Sequence, residues 1–245
     1  MTAELRSELL KQSSVPTTLG LFAGMLGLVA LAVALHGVGL PDGDLAARDN
    51  QLMVFGRGEF LGALFAALLG AMSITAEIRH GTIRPTLLVS PWRGRVVAAK
   101  GGVSALIGAG FGLAASAVAA GVGAAVLGAR GIDVQLDGGD YALLVAGGAA
   151  ASALWAAIGV GVGAVVRDQV PTLIGITAWL LFVEGLLGEN LVDVSKFAPG
   201  TLAMAVSGQE PGTLLSPAIS LPLLSVYAVA AAVAGSIATT RRDVS

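Results

Sequence analysis

The sequence predicts an all-α, polytopic membrane protein with six transmembrane helices and an interfacial helix ahead of the first. Three observations carry this. Of 245 residues, 55% are hydrophobic and only 12% are charged, against roughly a quarter charged in a soluble domain; mean hydropathy is +0.84. Six apolar runs, at about 17–40, 54–76, 101–128, 141–166, 170–187 and 217–238, suit a hydrocarbon layer of about 30 Å. The 35 glycines and 5% aromatic content suit helices that approach through small residues, not a barrel with aromatic girdles. Residues 1–245 read as a single transmembrane domain.

Each element follows in order. Residues 1–16 carry Glu4, Arg6, Glu8 and Lys11 among Leu5, Leu9 and Leu10, a mildly amphipathic pattern suited to a helix at the membrane surface. Thr17–Leu40 runs 24 residues without an acid, Lys or Arg, longer than a signal-peptide core of roughly 7 to 15. His36 near its end reads as a neutral interfacial imidazole. Asp42, Asp44 and Asp49 make the next loop acidic. Arg57 and Glu59 fall in the first turns of the second span, where long side chains reach the interface or pair with each other. In the third span Gly108 and Gly112 have GxxxG spacing, as do Gly20 and Gly24 in the first and Gly159 and Gly163 in the fourth. The spacing supports tight bundle packing, although chance matches are expected in so glycine-rich a chain.

The loop at 129–140 is acidic again, and Arg167-Asp168-Gln169 separates the fourth and fifth spans. Residues 188–216 mix charges with Pro199, Gly200, Pro211 and Gly212, the pattern of a long external segment with short interfacial helices. Pro217–Ala238 closes the set. The side holding the termini, 77–100 and 167–169 carries ten Lys and Arg against five acids; the other carries four against eleven. Lys and Arg are retained on the cytoplasmic side during insertion, so both termini are expected there.

Several chemistries are excluded. With no cysteine, there is no disulfide, iron–sulfur cluster or thiolate zinc site. His36 and His80 fall on opposite faces of this topology and cannot share a metal or a nucleophile. The chain has no HExxH and no GxxxxGK[ST] phosphate loop, so no ATPase motif of its own. Its serines lack a His or Lys within the spans to activate them. No acid is expected in mid-bilayer, Glu184 near the end of the fifth span reading as a solvated carboxylate, which argues against a proton-coupled carrier. Nothing suggests a nucleic-acid partner.

The stretch from Glu77 to Lys100, EIRHGTIRPTLLVSPWRGRVVAAK, is the densest basic interval. Gly81 frees the backbone to turn out of the second span, and Thr82 suits a cap. Leu87 and Leu88 form an apolar ridge, Pro91 stops the helix, and Arg93 and Arg95 return the chain to an anionic lipid surface. The helix starts near Thr82, with Pro85 in its first turn, or later at Thr86.

Glu77-x3-Gly81-Thr82, Leu87-Leu88, Pro91-x-Arg93 and Lys100 resemble the first cytoplasmic loop of ABC-2 type exporter permeases. The layout of the whole chain is similar to that family; the motif covers about 24 residues. The resemblance implies a coupling helix between spans two and three, with Glu77, Gly81, Thr82, Leu87, Leu88, Pro91 and Arg93 at the contact with an ATP-binding subunit. It further implies two such P-loop subunits carrying ATP and Mg, none bound by this chain, and a second permease, identical or homologous. The setting would be the bacterial cell membrane, with export of a hydrophobic or amphipathic substrate. Arg167 and Asp168 make a second contact or only a tight turn; Glu184 and Glu189 form an external gate or a solvated loop. The competing readings are a loop that touches only lipid, and a non-transporting membrane regulator or immunity protein.

Overall fold

The computed structural model describes residues 2–82, 93–209 and 214–241, and among the described residues every regular element is helical. Helix α1 (Thr2–Ser14) is followed by α2 (Pro16–Gly39), which Pro16 can open because the first amides of a helix lack partners anyway. A single turn, α3 (Asp42–Leu45), leads to α4 (Arg48–Arg79). Then come α5 (Arg93–Ala129), α6 (Gly138–Val166) and α7 (Gln169–Asn190). Two short helices, α8 (Val192–Ser195) and α9 (Pro199–Val206), precede α10 (Pro217–Arg241). Six of these, α2, α4, α5, α6, α7 and α10, are long and apolar enough to cross a membrane, and they fall on the six runs read from the sequence.

Local chemistry sets the ends. Asp137 caps α6 by accepting from the Asp140 amide at 2.9 Å, while its own amide donates to the Asp140 carboxylate at 3.0 Å, a reciprocal capping box. At the other end of α6, Arg167 takes a left-handed φ of 63°, the conformation that ends a helix. Asp168 then caps α7 by accepting from the Val170 amide. The buried Gln51 gathers the acidic-end loops, donating to the Leu45 and Asp133 carbonyls and accepting from the Gln135 amide.

Contacts along the helices fix their directions. Phe22 meets Phe111 and Gly37 meets Val126, so α2 and α5 run parallel. Gly58 lies against Ala115 while Gly62 lies against Gly112, so α4 and α5 are antiparallel. The six long helices alternate, gathering Glu77–Thr82, the start of α5 and 167–169 at one end, the basic end, and the acidic loops at the other.

The centre is α4, whose buried face includes Gly58, Gly62, Ala66 and Gly70. A Cβ on Gly70 would collide with the Ala156 carbonyl, and one on Gly159 with the Ala67 carbonyl. Gly112 meets the Gly148 carbonyl in the same way, and a Cβ on Gly108 would stand 2.8 Å from the Ser152 carbonyl oxygen. Two of the three GxxxG pairs therefore mark real backbone crossings. The third does not: Gly20 has nothing within 4 Å, and Gly24 only a Phe65 ring atom at 3.9 Å.

The segment after α7 forms two short helices, as expected, but α9 is buried and not interfacial. Pro199, Gly200, Leu202, Ala203, Ala205 and Val206 of α9 are buried, and the helix packs against α10, α6 and α4. Its apolar face places it inside the bundle.

Two glycine substitutions separate packing from propensity. Gly70→Ala should lower stability by about 1–3 kcal/mol, because two backbones must part. Gly20→Ala should be neutral or stabilising by about 0.5–1 kcal/mol through helix propensity. Thermal unfolding of the two variants in one detergent checks the contrast.

Candidate functional site

The stretch Glu77–Lys100 leaves the last turn of α4 and enters α5, and its two ends meet. Lys100 is 1% exposed. Its Nζ lies 2.9 Å from Glu77 Oε1, 2.7 Å from Glu8 Oε2 on α1 and 3.1 Å from the Ser73 carbonyl oxygen, one acceptor for each ammonium hydrogen. Lys11, half exposed, approaches Glu8 Oε1 at 3.0 Å and Glu77 Oε1 at 3.2 Å. Two carboxylates and two ammonium groups cancel, as a buried charge requires. Ser104 extends the network by donating to Gln12 Oε1 at 3.2 Å.

This junction turns α1 opposite to an ordinary amphipathic helix. Its polar residues Glu8 and Gln12 are buried against the bundle, while Leu9 and Leu10 are 38% and 60% exposed. An outward leucine face suits an apolar surrounding. The inward polar face is what ties α1 to α5.

Burial pushes the Glu8 carboxyl up, but Lys100 and Lys11 beside it outweigh that and hold it below its ordinary value. Burial lowers Lys11, but its bonds to Glu8 and Glu77 leave it net raised. Both shifts favour the charged forms that make the junction.

At the acidic end α4 carries a second polar group. It begins at Arg48, so Glu59 stands about three turns inside, and it is 2% exposed. Gln209 Nε2 donates to its Oε2 at 2.9 Å and to Ser207 Oγ at 2.7 Å. Arg57 instead donates to His36 Nδ1 at 3.1 Å. An interfacial Arg57–Glu59 pair is therefore not what forms, because the helix starts earlier than its hydropathy suggests and turns Glu59 inward.

Glu184 corrects another expectation. It is 9% exposed rather than solvated, and its carboxylate accepts from the Gly200 and Thr201 amides at 2.8 and 2.9 Å and from Trp179 Nε1 at 2.6 Å. The N-cap residue of α9 is Ala198, which makes no side-chain cap, so α7 supplies the acceptor that a cap would provide. A π-helical stretch at Trp179–Val183 precedes Glu184 and shifts the helical register there. Glu189 is exposed. Beside Glu184 a cavity of 490 Å³ reaches Arg57, Phe60 and Gln209.

The other residues singled out in the sequence lie as follows. Gly81 has a φ of +70°, a left-handed turn that glycine adopts without strain. Thr82 Oγ1 reaches back to the Glu77 carbonyl oxygen at 3.4 Å. Leu87, Leu88 and Pro91 lie outside the described residues, as do Pro85 and Thr86; Arg93 is the first residue of α5. Arg167 and Asp168 build the α6–α7 turn, which Arg79 joins through Gln169 Oε1 at 3.4 Å. Sequence reasoning missed Glu8 as a partner of Lys100, Lys11 as a second cation on Glu8 and Glu77, and Gln12 as the acceptor for Ser104. Their spacing puts them on one helix face, but nothing local says that this face turns inward. Among the described residues no group of three His, Asp or Glu could hold a metal ion.

No known family model matches the chain, and no curated protein is recognisably similar to it.

Removing Lys100 leaves the buried Glu8 and the half-buried Glu77 with one cation between them. Lys100→Met should cost about 3–5 kcal/mol, and Glu8→Gln in the same chain should restore much of it, a coupling that a double-mutant cycle of unfolding energies measures. The shifts also set a pH window. Glu8, held low, contributes above the ordinary carboxylate range and its share is lost as pH falls through its lowered value; Lys11, held high, loses its share only above the ordinary lysine range. The distance between spin labels on Leu10→Cys and Ala98→Cys should therefore stay constant at neutral pH and lengthen only in strong acid or strong base.

Proposed function

We propose that this chain is the membrane subunit of an ABC exporter of the ABC-2 type, moving a hydrophobic or amphipathic substrate out of a bacterial cell with energy from two separate ATP-binding subunits. Both termini and the basic end face the cytoplasm. ATP and Mg are bound by the partner subunits, and a second permease, identical or homologous, completes the pathway. The observation that carries this reading is the joining of Glu77 to Lys100 at 2.9 Å, which closes the base of the stretch whose residues resemble the family's coupling loop.

The joining gives the loop mechanical purchase. A push on residues 83–92 from a closing ATPase reaches α4 through Gly81 and α5 through Arg93, and the ion pairs of Glu8 with Lys100 and of Lys11 with Glu77 share it with α1. The Arg79–Gln169 contact brings the α6–α7 turn to the same end, so Arg167 and Asp168 are available as a second contact. At the far end Glu184 ties α9 to α7, which suits a gate that closes the exit; Glu189 lies on the exposed rim. These placements support the reading, together with the motif.

The test is direct. The tagged chain, solubilised from native membranes, should co-purify with a P-loop ATPase in stoichiometric amount, and Leu87→Arg or Leu88→Asp should abolish substrate-stimulated ATP hydrolysis with membrane insertion intact. Purification alone, or with a non-ATPase such as a sensor kinase, replaces the exporter with a membrane regulator.

A further inference from the structure

A cavity of 530 Å³ lies among α1, α2, α4 and the Lys100 junction. Most of its wall is apolar, including Val15, Leu21, Leu69 and Met72, and at its rim Lys11, Val15 and Thr17 are exposed, so it opens to the protein surface. Two of its lining groups are unsatisfied. Gln12, 7% exposed, spends Oε1 on Ser104, and its Nε2 has no hydrogen-bond partner among the described residues. Glu77 spends Oε1 on both lysines, and its buried Oε2 is likewise unpartnered. Leaving a buried donor and a buried acceptor open is costly, and a chiefly apolar pocket with a few convergent polar atoms is the usual form of a ligand site.

The open atoms define the ligand. Gln12 asks for an acceptor and Glu77 for a donor. The ionic junction is already neutral, so the ligand needs no net charge. A carboxylate or phosphate diester offers Glu77 no proton; a quaternary ammonium offers neither group; a primary ammonium donates but cannot accept. A hydroxyl does both. Water also does both, but one water takes about 30 Å³ and would leave the apolar remainder of the cavity unfilled. We propose that this cavity binds a neutral, hydroxyl-bearing amphipath of the monoacylglycerol kind, its hydroxyl at Gln12 and Glu77 and its chain along Leu21, Leu69 and Met72. The site stands whether or not the chain is an exporter.

The experiment uses the full chain in nanodiscs of dioleoylphosphatidylcholine, whose headgroup has no hydroxyl, and a monoacylglycerol with a photoreactive diazirine in its acyl chain. Crosslinks should map to α2 and α4 around Leu21, Leu69 and Met72. Unlabelled monoolein should compete about tenfold more strongly than methyl oleate, which has the same chain but no donor, the order expected for one buried polar partner left unpaired. Met72→Trp should fill the cavity and remove these crosslinks, with the elution profile showing whether that variant is folded. Equal competition by the two lipids in the wild-type protein overturns the proposal whatever the variant does. So does labelling spread over all lipid-facing helices, which would leave the cavity to water.

Discussion

The bundle depends on backbone approaching backbone. Where α4 crosses α5 and α6, glycines stand against carbonyl oxygens with no room for a methyl group, so these helices touch without intervening side chains. Between apolar surfaces in an apolar surrounding there is no hydrophobic gain, and close dispersion contact takes its place. The result is a central rod with a fixed rotation about its axis. That rotation decides which way Glu59 and Glu77 point. They are 18 positions apart, about 27 Å at 1.5 Å each, so one rigid element carries a buried carboxylate near one end and a half-buried one near the other.

The two carboxylates meet different partners. At the basic end charge answers charge: Lys100 and Lys11 hold Glu8 and Glu77, and the polar face of α1 is recruited to the bundle by ion pairs. Around Glu59 and Glu184 the partners are neutral or backbone. Gln209 answers Glu59, and helix amides answer Glu184. The first arrangement ties α1 to α4 and α5, two helices that already touch backbone to backbone. The second lets α7 hold the start of α9, a helix that lacks a cap of its own.

Much of this was legible from residue order. The six apolar runs predicted the six long helices, the Gly81-Thr82 pair predicted a turn at the end of the second, and Arg167-Asp168 predicted a break. Those features are local, written in composition, periodicity and backbone preference. What the sequence hid is pairing across distance. Glu8 and Lys100 are 92 residues apart, and Glu59 and Gln209 are 150; nothing near either member announces the other. The glycine pairs show the same limit. Gly20 and Gly24 have the spacing of Gly108 and Gly112, and only the latter pair lies at a crossing. Similarly, α9 reads as an interfacial helix because its charged and proline-rich flanks outweigh a short apolar run whose burial is decided by the helices around it.

The order of the junction residues along the chain bears on how the protein is made. Glu8, Lys11 and Glu77 all precede Lys100, and chains emerge from the ribosome with the N-terminal portion first. When the lysine appears, its counter-charges have already been synthesised, together with α1, α2 and α4. A cation that would be costly to bring alone to the mouth of a long apolar helix can be neutralised on arrival, before α6, α7 or α10 exists. The first half of the protein can thus close its own polar seam during translation, and the later helices arrive at a finished surface.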